Sequence, residues 1–131
     1  MSIWTHVAGI IRVDDIRFEN PMPDFEHILG KQISYEELDR DENTSLPCGS
    51  EGTLQYDIAT NPDISSLDSY TISIHGDLRD YDDIDEIVKW FKDVISNVYA
   101  RQAIIKIECE DGKSTIAYLN SKGEIKVIET D

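Results

Sequence analysis

The sequence predicts an α+β domain, an antiparallel sheet carrying one main amphipathic helix, ordered like a ferredoxin-like (split βαβ) fold with extra C-terminal strands. Three observations predict it. Apolar residues recur at helical spacing over about residues 83–98. Several short segments around that stretch alternate apolar and polar with period two, and turn signals divide the last third of the chain into a meander. With 131 residues, the chain is expected to form one domain over 1–131 and to bury roughly two thirds of its unfolded surface.

Taken in order, residues 2–13 read as a strand, with Ile3, Thr5, Val7, Gly9, Ile11 and Val13 on one face and Trp4, His6, Ala8, Ile10 and Arg12 on the other. Both faces are largely apolar, so this strand is expected to be central or covered on both sides. Asn20-Pro21-Met22-Pro23 breaks the chain. A short helix is predicted from Pro23 to Leu29, closed by Gly30. Ser34-Tyr35-Glu36-Glu37 has capping-box spacing for one further turn, and Asp39 to Ser45 reads as an exposed loop. Residues 53–59 and 70–75 alternate cleanly on either side of the turn signal Asn61-Pro62-Asp63 and predict an antiparallel pair with one polar face.

In the main helix, Ile84, Ile87, Val88, Phe91, Val94, Ile95 and Val98 form one stripe, and Trp90 sits at its edge. Asp83 stands three residues before Glu86, the spacing of an N-cap, and an acidic first turn suits the helix dipole. Ala103 to Glu110 is a strand with Ile105, Ile107 and Cys109 on one face. Asp111-Gly112 signals a two-residue hairpin into Thr115–Leu119, and Asn120 to Gly123 turns into a last strand over Glu124–Glu129.

Charge is the unusual feature of the composition. Against 27 acidic residues stand 12 basic ones, a net charge of −15 and a pI near 4.4. Nucleic-acid binding draws most of its affinity from Lys and Arg on phosphates, so this field excludes direct DNA or RNA binding and favours a basic protein partner. The chain has no basic and apolar leader of signal-peptide type, no stretch near the roughly 18 apolar residues that span a bilayer, and two cysteines expected to be reduced. A cytoplasmic protein without membrane attachment is expected.

Two segments stand out as candidate sites. In Leu46-Pro47-Cys48-Gly49-Ser50-Glu51-Gly52, Cys48 or Ser50 can be read as a nucleophile and Glu51 as an acid or base. The simpler reading is a turn feeding the strand at Leu54, because the setting of a nucleophile elbow is missing. A thiol–imidazole pair of Cys48 with His6, His27 or His75 is favoured by no spacing, nor do two Cys and three His show metal-ligand spacing.

In His75-Gly76-Asp77-Leu78-Arg79-Asp80-Tyr81-Asp82-Asp83, six acids fall between Asp77 and Glu86 against the single Arg79. The run does not follow the EF-hand pattern, so neither metal nor cofactor is expected. It reads either as a solvated loop capping the helix or as an acidic recognition loop anchored by Tyr81. Asp77, Arg79, Asp80, Tyr81 and Asp82 are the residues expected to meet a partner. A second cluster, Glu36, Glu37, Asp39, Asp41 and Glu42, would add to a negative surface of the kind that neutralises a nuclease or a DNA-binding enzyme.

The start Ile3-Trp4-Thr5-His6-Val7, the 46–52 segment and Gly76-Asp77-Leu78-Arg79-Asp80-Tyr81 together resemble a group of small uncharacterised phage- and prophage-encoded acidic proteins. The resemblance implies a setting, a small cytoplasmic protein in an infected host, where inhibitors and regulators of host proteins are frequent. The function expected is thus a non-enzymatic binding module for a basic host protein, of inhibitor or immunity type. A small enzyme or ligand-binding domain using the Cys48–Glu51 loop, and a self-associating phage component, are the alternatives.

Overall fold

The computed structural model describes residues 2–16, 25–32, 46–61 and 67–130. The Asn20–Pro23 break, the turns at residues 34–37 and 62–63, and the acidic cluster Glu36 to Glu42 lie outside them. Six strands, β1 (Trp4–Ile16), β2 (Gln55–Asn61), β3 (Leu67–Arg79), β4 (Ala100–Cys109), β5 (Ser114–Leu119) and β6 (Ile125–Thr130), form one sheet. Among the described residues two helices accompany it, α1 (Phe25–Leu29) and α2 (Ile84–Ser96). The strand order is β2-β3-β1-β4-β5-β6, and every neighbouring pair is antiparallel. The α+β class and the antiparallel sheet are those expected. The whole differs from a four-stranded ferredoxin-like sheet. It runs on through β5 and β6, and the described part of the first crossover contributes only the five-residue α1.

β1 is central, as its two apolar faces require, but among the described residues it is covered on one face only. Thr5, Val7, Ile11 and Val13 are buried, whereas His6, Ala8 and Ile10 are exposed. On the buried side α2 presents Ile87, Val88, Phe91 and Val94 to the same apolar cluster as Val7, Ile11, Ile72, Ile105 and Ile107. Asp83 caps α2 by accepting the Glu86 N–H at 3.2 Å. Trp90, at the edge of the stripe, donates its Nε1–H to the Leu29 carbonyl at 2.7 Å and so ties α2 to the end of α1.

β3 runs further than its alternation predicts. The segment His75 to Arg79, read above as a loop, is strand and pairs with β1 as far as Trp4↔Arg79. Gly76 permits this, since a Cβ there would lie 3.1 Å from both Leu54 Cα and Thr53 O. The β4–β5 connection also departs from expectation. Cys109 N–H donates to the Lys113 carbonyl at 2.8 Å, so three residues rather than two form the turn, with Gly112 at φ +108° in the position that needs positive φ.

Phe91 is fully buried at the centre of the α2 stripe. Phe91→Ala is expected to cost about 3–5 kcal/mol, read as a lowered urea midpoint with an unchanged m-value.

Candidate functional site

The chemistry-bearing residues gather at one end of the sheet, where β1 begins and β3 and β4 end. Pairing places His6 beside Asp77 on one side and Glu108 on the other. His6 Nδ1 lies 2.6 Å from Asp77 Oδ1, and Nε2 lies 3.1 Å from Glu110 Oε2. The hydrogen bond to Asp77, then that to Glu110, favours the imidazolium and raises the His6 pKa. Glu110 is held below its ordinary value by His6 first and by the Trp4 N–H second. Both ring nitrogens are thus engaged by carboxylates on opposite edges of the ring. That geometry leaves neither nitrogen to activate a nucleophile and does not bring the two carboxylates to a shared metal position. Among the described residues no three His, Cys, Asp or Glu side chains are placed to hold a metal.

The Leu46–Gly52 segment lies against the same end. Cys48 bridges Thr53, and Leu54 N–H donates to the Pro47 carbonyl at 2.9 Å, which makes a small hairpin. Its tip is bonded to β3: Ser50 N–H donates to the Arg79 carbonyl at 2.9 Å, and Arg79 N–H to the Glu51 carbonyl at 3.0 Å. The Glu51 carboxylate pairs with the Arg79 guanidinium. A Cβ on Gly49 would sit 2.3 Å from Arg79 O, and one on Gly52, at φ +78°, 2.0 Å from Asp77 O. Close backbone packing therefore accounts for the glycines, and the ion pair with Arg79 for Glu51.

The five residues expected to meet a partner divide in the same way. Asp77 holds His6, and Arg79 holds Glu51 and donates from Nε to Ser2 Oγ at 2.8 Å. Asp80, at φ +52°, exchanges bonds with Ile3: its N–H donates to the Ile3 carbonyl at 2.7 Å and its Oδ1 accepts the Ile3 N–H at 3.2 Å. The carbonyl of Tyr81 accepts the buried Thr5 hydroxyl at 2.6 Å, and its O–H donates to Glu86 at 2.7 Å. Partial burial, then that hydrogen bond to Glu86, pushes the Tyr81 pKa well up. Asp82 alone is exposed and, among the described residues, makes no side-chain hydrogen bond or ion pair, and it borders two grooves of about 300 Å³ each.

The charges separate into two populations. On the sheet face that α2 leaves open, carboxylates have basic side chains beside them: Asp57 with His75 at 3.5 Å, Asp77 and Glu110 with His6, and Glu108 with Lys106 at 3.6 Å. Around α2 the opposite holds. Asp82, Asp83, Asp85, Glu86 and Asp93 form no ion pair among the described residues, and Asp82, Asp83, Asp85 and Glu129 border one groove in which Lys113 is the sole cation. Sequence reasoning found the acidic run but missed His6 as its counterpart. Its partners are 71 and 104 positions away, and no local signal joins them.

Comparison with protein-family models, with curated proteins and with solved structures found no match.

Two predictions follow from this geometry. The His6 pKa is raised on folding, so its contribution to stability is full below the unfolded value of about 6.5. It is lost as the pH climbs through the raised value. The thermal midpoint of the wild-type chain should fall across that window, and that of His6→Gln should fall less. Gly52→Ala is expected to destabilise by more than about 1 kcal/mol in chemical denaturation, whereas Cys48→Ala stays within about 1 kcal/mol of wild type because Cys48 is only partly buried.

Proposed function

We propose that this chain is a non-enzymatic, acidic protein-binding module that takes a basic protein partner at the N-terminal end of α2, in the manner of a phage-encoded inhibitor or immunity-type factor acting in the host cytoplasm. One observation carries the reading: among the described residues the carboxylates there, Asp82, Asp83, Asp85 and Glu86, form no ion pair, whereas those of the open sheet face have a basic side chain within 4 Å. Carboxylates already paired add little to a partner's attraction, whereas unpaired ones steer and hold a basic surface. A nucleic-acid ligand is left out of the proposal because a net charge of −15 repels phosphate.

Of the acidic run, those residues that hold no strand or hairpin are the ones proposed to meet the partner. Asp77, Arg79 and Asp80 are engaged in holding β1 and the 46–52 hairpin, and Asp83 caps α2. Asp82 and Asp85 are exposed, with Tyr81 beside them as a half-buried anchor. The catalytic alternative draws no support from the Cys48–Glu51 loop, whose Ser50 and Glu51 are bonded to Arg79. A ferredoxin-like description is proposed for the inner four strands alone. Their order β2-β3-β1-β4, antiparallel throughout, is what two interleaved βαβ units would produce, with α2 in the second crossover.

Asp82→Lys combined with Asp85→Lys tests the function. Neither residue makes a fold-holding contact, so the far-UV spectrum should stay unchanged. Capture of a basic partner from host lysate should fall at least roughly tenfold, and wild-type capture should weaken as salt rises. Capture that survives both reversals would sink the proposal.

A further inference from the structure

The open face of the sheet is built differently from the rest of the surface. Pairing aligns Ile10, Ile104 and Tyr118 in one cross-strand row, and Ala8, Lys106, Ile116 and Ile128 in the next. Ile10, Ile104 and Ile128 are respectively 38%, 47% and 49% exposed, and among the described residues no helix packs on this side. Lys106 and Lys126 fall within the same rows, where long aliphatic stems extend an apolar surface while the ammonium groups stay wet. The ion pairs His6–Asp77, His6–Glu110, His75–Asp57, Lys106–Glu108 and Lys126–Glu124 belong to this face or its rim.

We infer that this face docks a second copy of the same chain, the two sheets stacking face to face about a two-fold axis. Electrostatics favours that occupant. Two molecules of net charge −15 repel each other wherever unpaired carboxylates meet, above all around α2. On the open face each of the carboxylates Asp57, Asp77, Glu108, Glu110 and Glu124 has a basic side chain of its own copy within 4 Å, so the surfaces approach with less of that penalty, and an isologous contact lays the isoleucine row of one copy over that of the other. A basic partner is drawn to the opposite side of the molecule. Scale agrees: six strands about 4.8 Å apart and at least six residues long at about 3.4 Å per residue present roughly 600 Å². A standard interface takes about 800 Å² from each partner. Stacked sheets of this kind sit about 10 Å apart with side chains interdigitating. The inference does not rest on the proposed function, because it uses the other face and the opposite sign of salt dependence.

The test is the mass of the full chain by sedimentation equilibrium over a concentration series at low and high salt. A dimer is expected, and salt should tighten it by screening the residual repulsion, whereas binding of a basic partner weakens with salt. Ile104→Glu and Ile128→Lys should each raise the dimer dissociation constant at least tenfold while the far-UV spectrum stays unchanged. Val127→Lys, next to Ile128 but on the other side of β6, should leave it within a factor of about three, well below the tenfold that 1.4 kcal/mol represents. A monomer at every concentration in both salts overturns the inference. So does a dimer that Val127→Lys disrupts and Ile104→Glu leaves intact, since that pattern marks pairing through the β6 edge.

Discussion

The position of β1 at the centre of the sheet is the constraint on which the rest of the structure depends. It is hydrogen-bonded on both sides, to β3 over Trp4–Ile16 and to β4 over Thr5–Val13. A slip of one residue would turn Thr5, Val7 and Ile11 to solvent and His6 and Ile10 into the core, so the burial pattern locks the register. The same register decides the chemistry of the surface. It sets His6 between Asp77 and the end of β4, lets Thr5 reach beneath Tyr81, and brings Asp80 to the backbone of Ile3.

This arrangement also answers how so acidic a chain tolerates a long sheet. Carboxylates packed along neighbouring strands repel when they face each other, and opposite charges across a pair are stabilising. The basic residues of the strands stand where they relieve that repulsion: His6, His75, Lys106 and Arg79 each have a carboxylate within 4 Å. Most of these pairs are exposed, so each adds little to stability. Their larger effect is on what the face can approach. The uncompensated charge is left around α2, where the helix dipole favours Asp83, Asp85 and Glu86 in any case. One molecule thus carries two surfaces of opposite character, and the sheet separates them.

Much of this was legible in the residues. The α2 stripe, the Asp83 cap, the buried place of Cys109 and the strand alternation all follow from local periods, because one helical face and one strand face must be apolar to reach the core. The acidic run before α2 was legible as a composition, but its division of labour was not. Asp77, Arg79 and Asp80 look like surface charges in sequence, and each is bonded to a residue at least 28 positions away. The extension of β3 through Gly76 was hidden for a similar reason. A glycine followed by an aspartate reads as a turn until the backbones of Thr53 and Leu54 are found packed against it.

By itself, then, the sequence determined most of the elements and the sidedness of three of them: which residues of β3, β4 and α2 face inward, and that the chain carries a strong negative field. These properties depend on spacing within a few residues. The fold decided which face of β1, apolar on both, turns inward. Which strand lies beside which, and so which carboxylate meets which cation, was decided by the tertiary structure alone. Ion pairs such as His6–Asp77 and His6–Glu110 join segments whose separation in the chain carries no local trace. The contrast between a paired open sheet face and an unpaired acidic helix end comes into being only when β1 is inserted between β3 and β4.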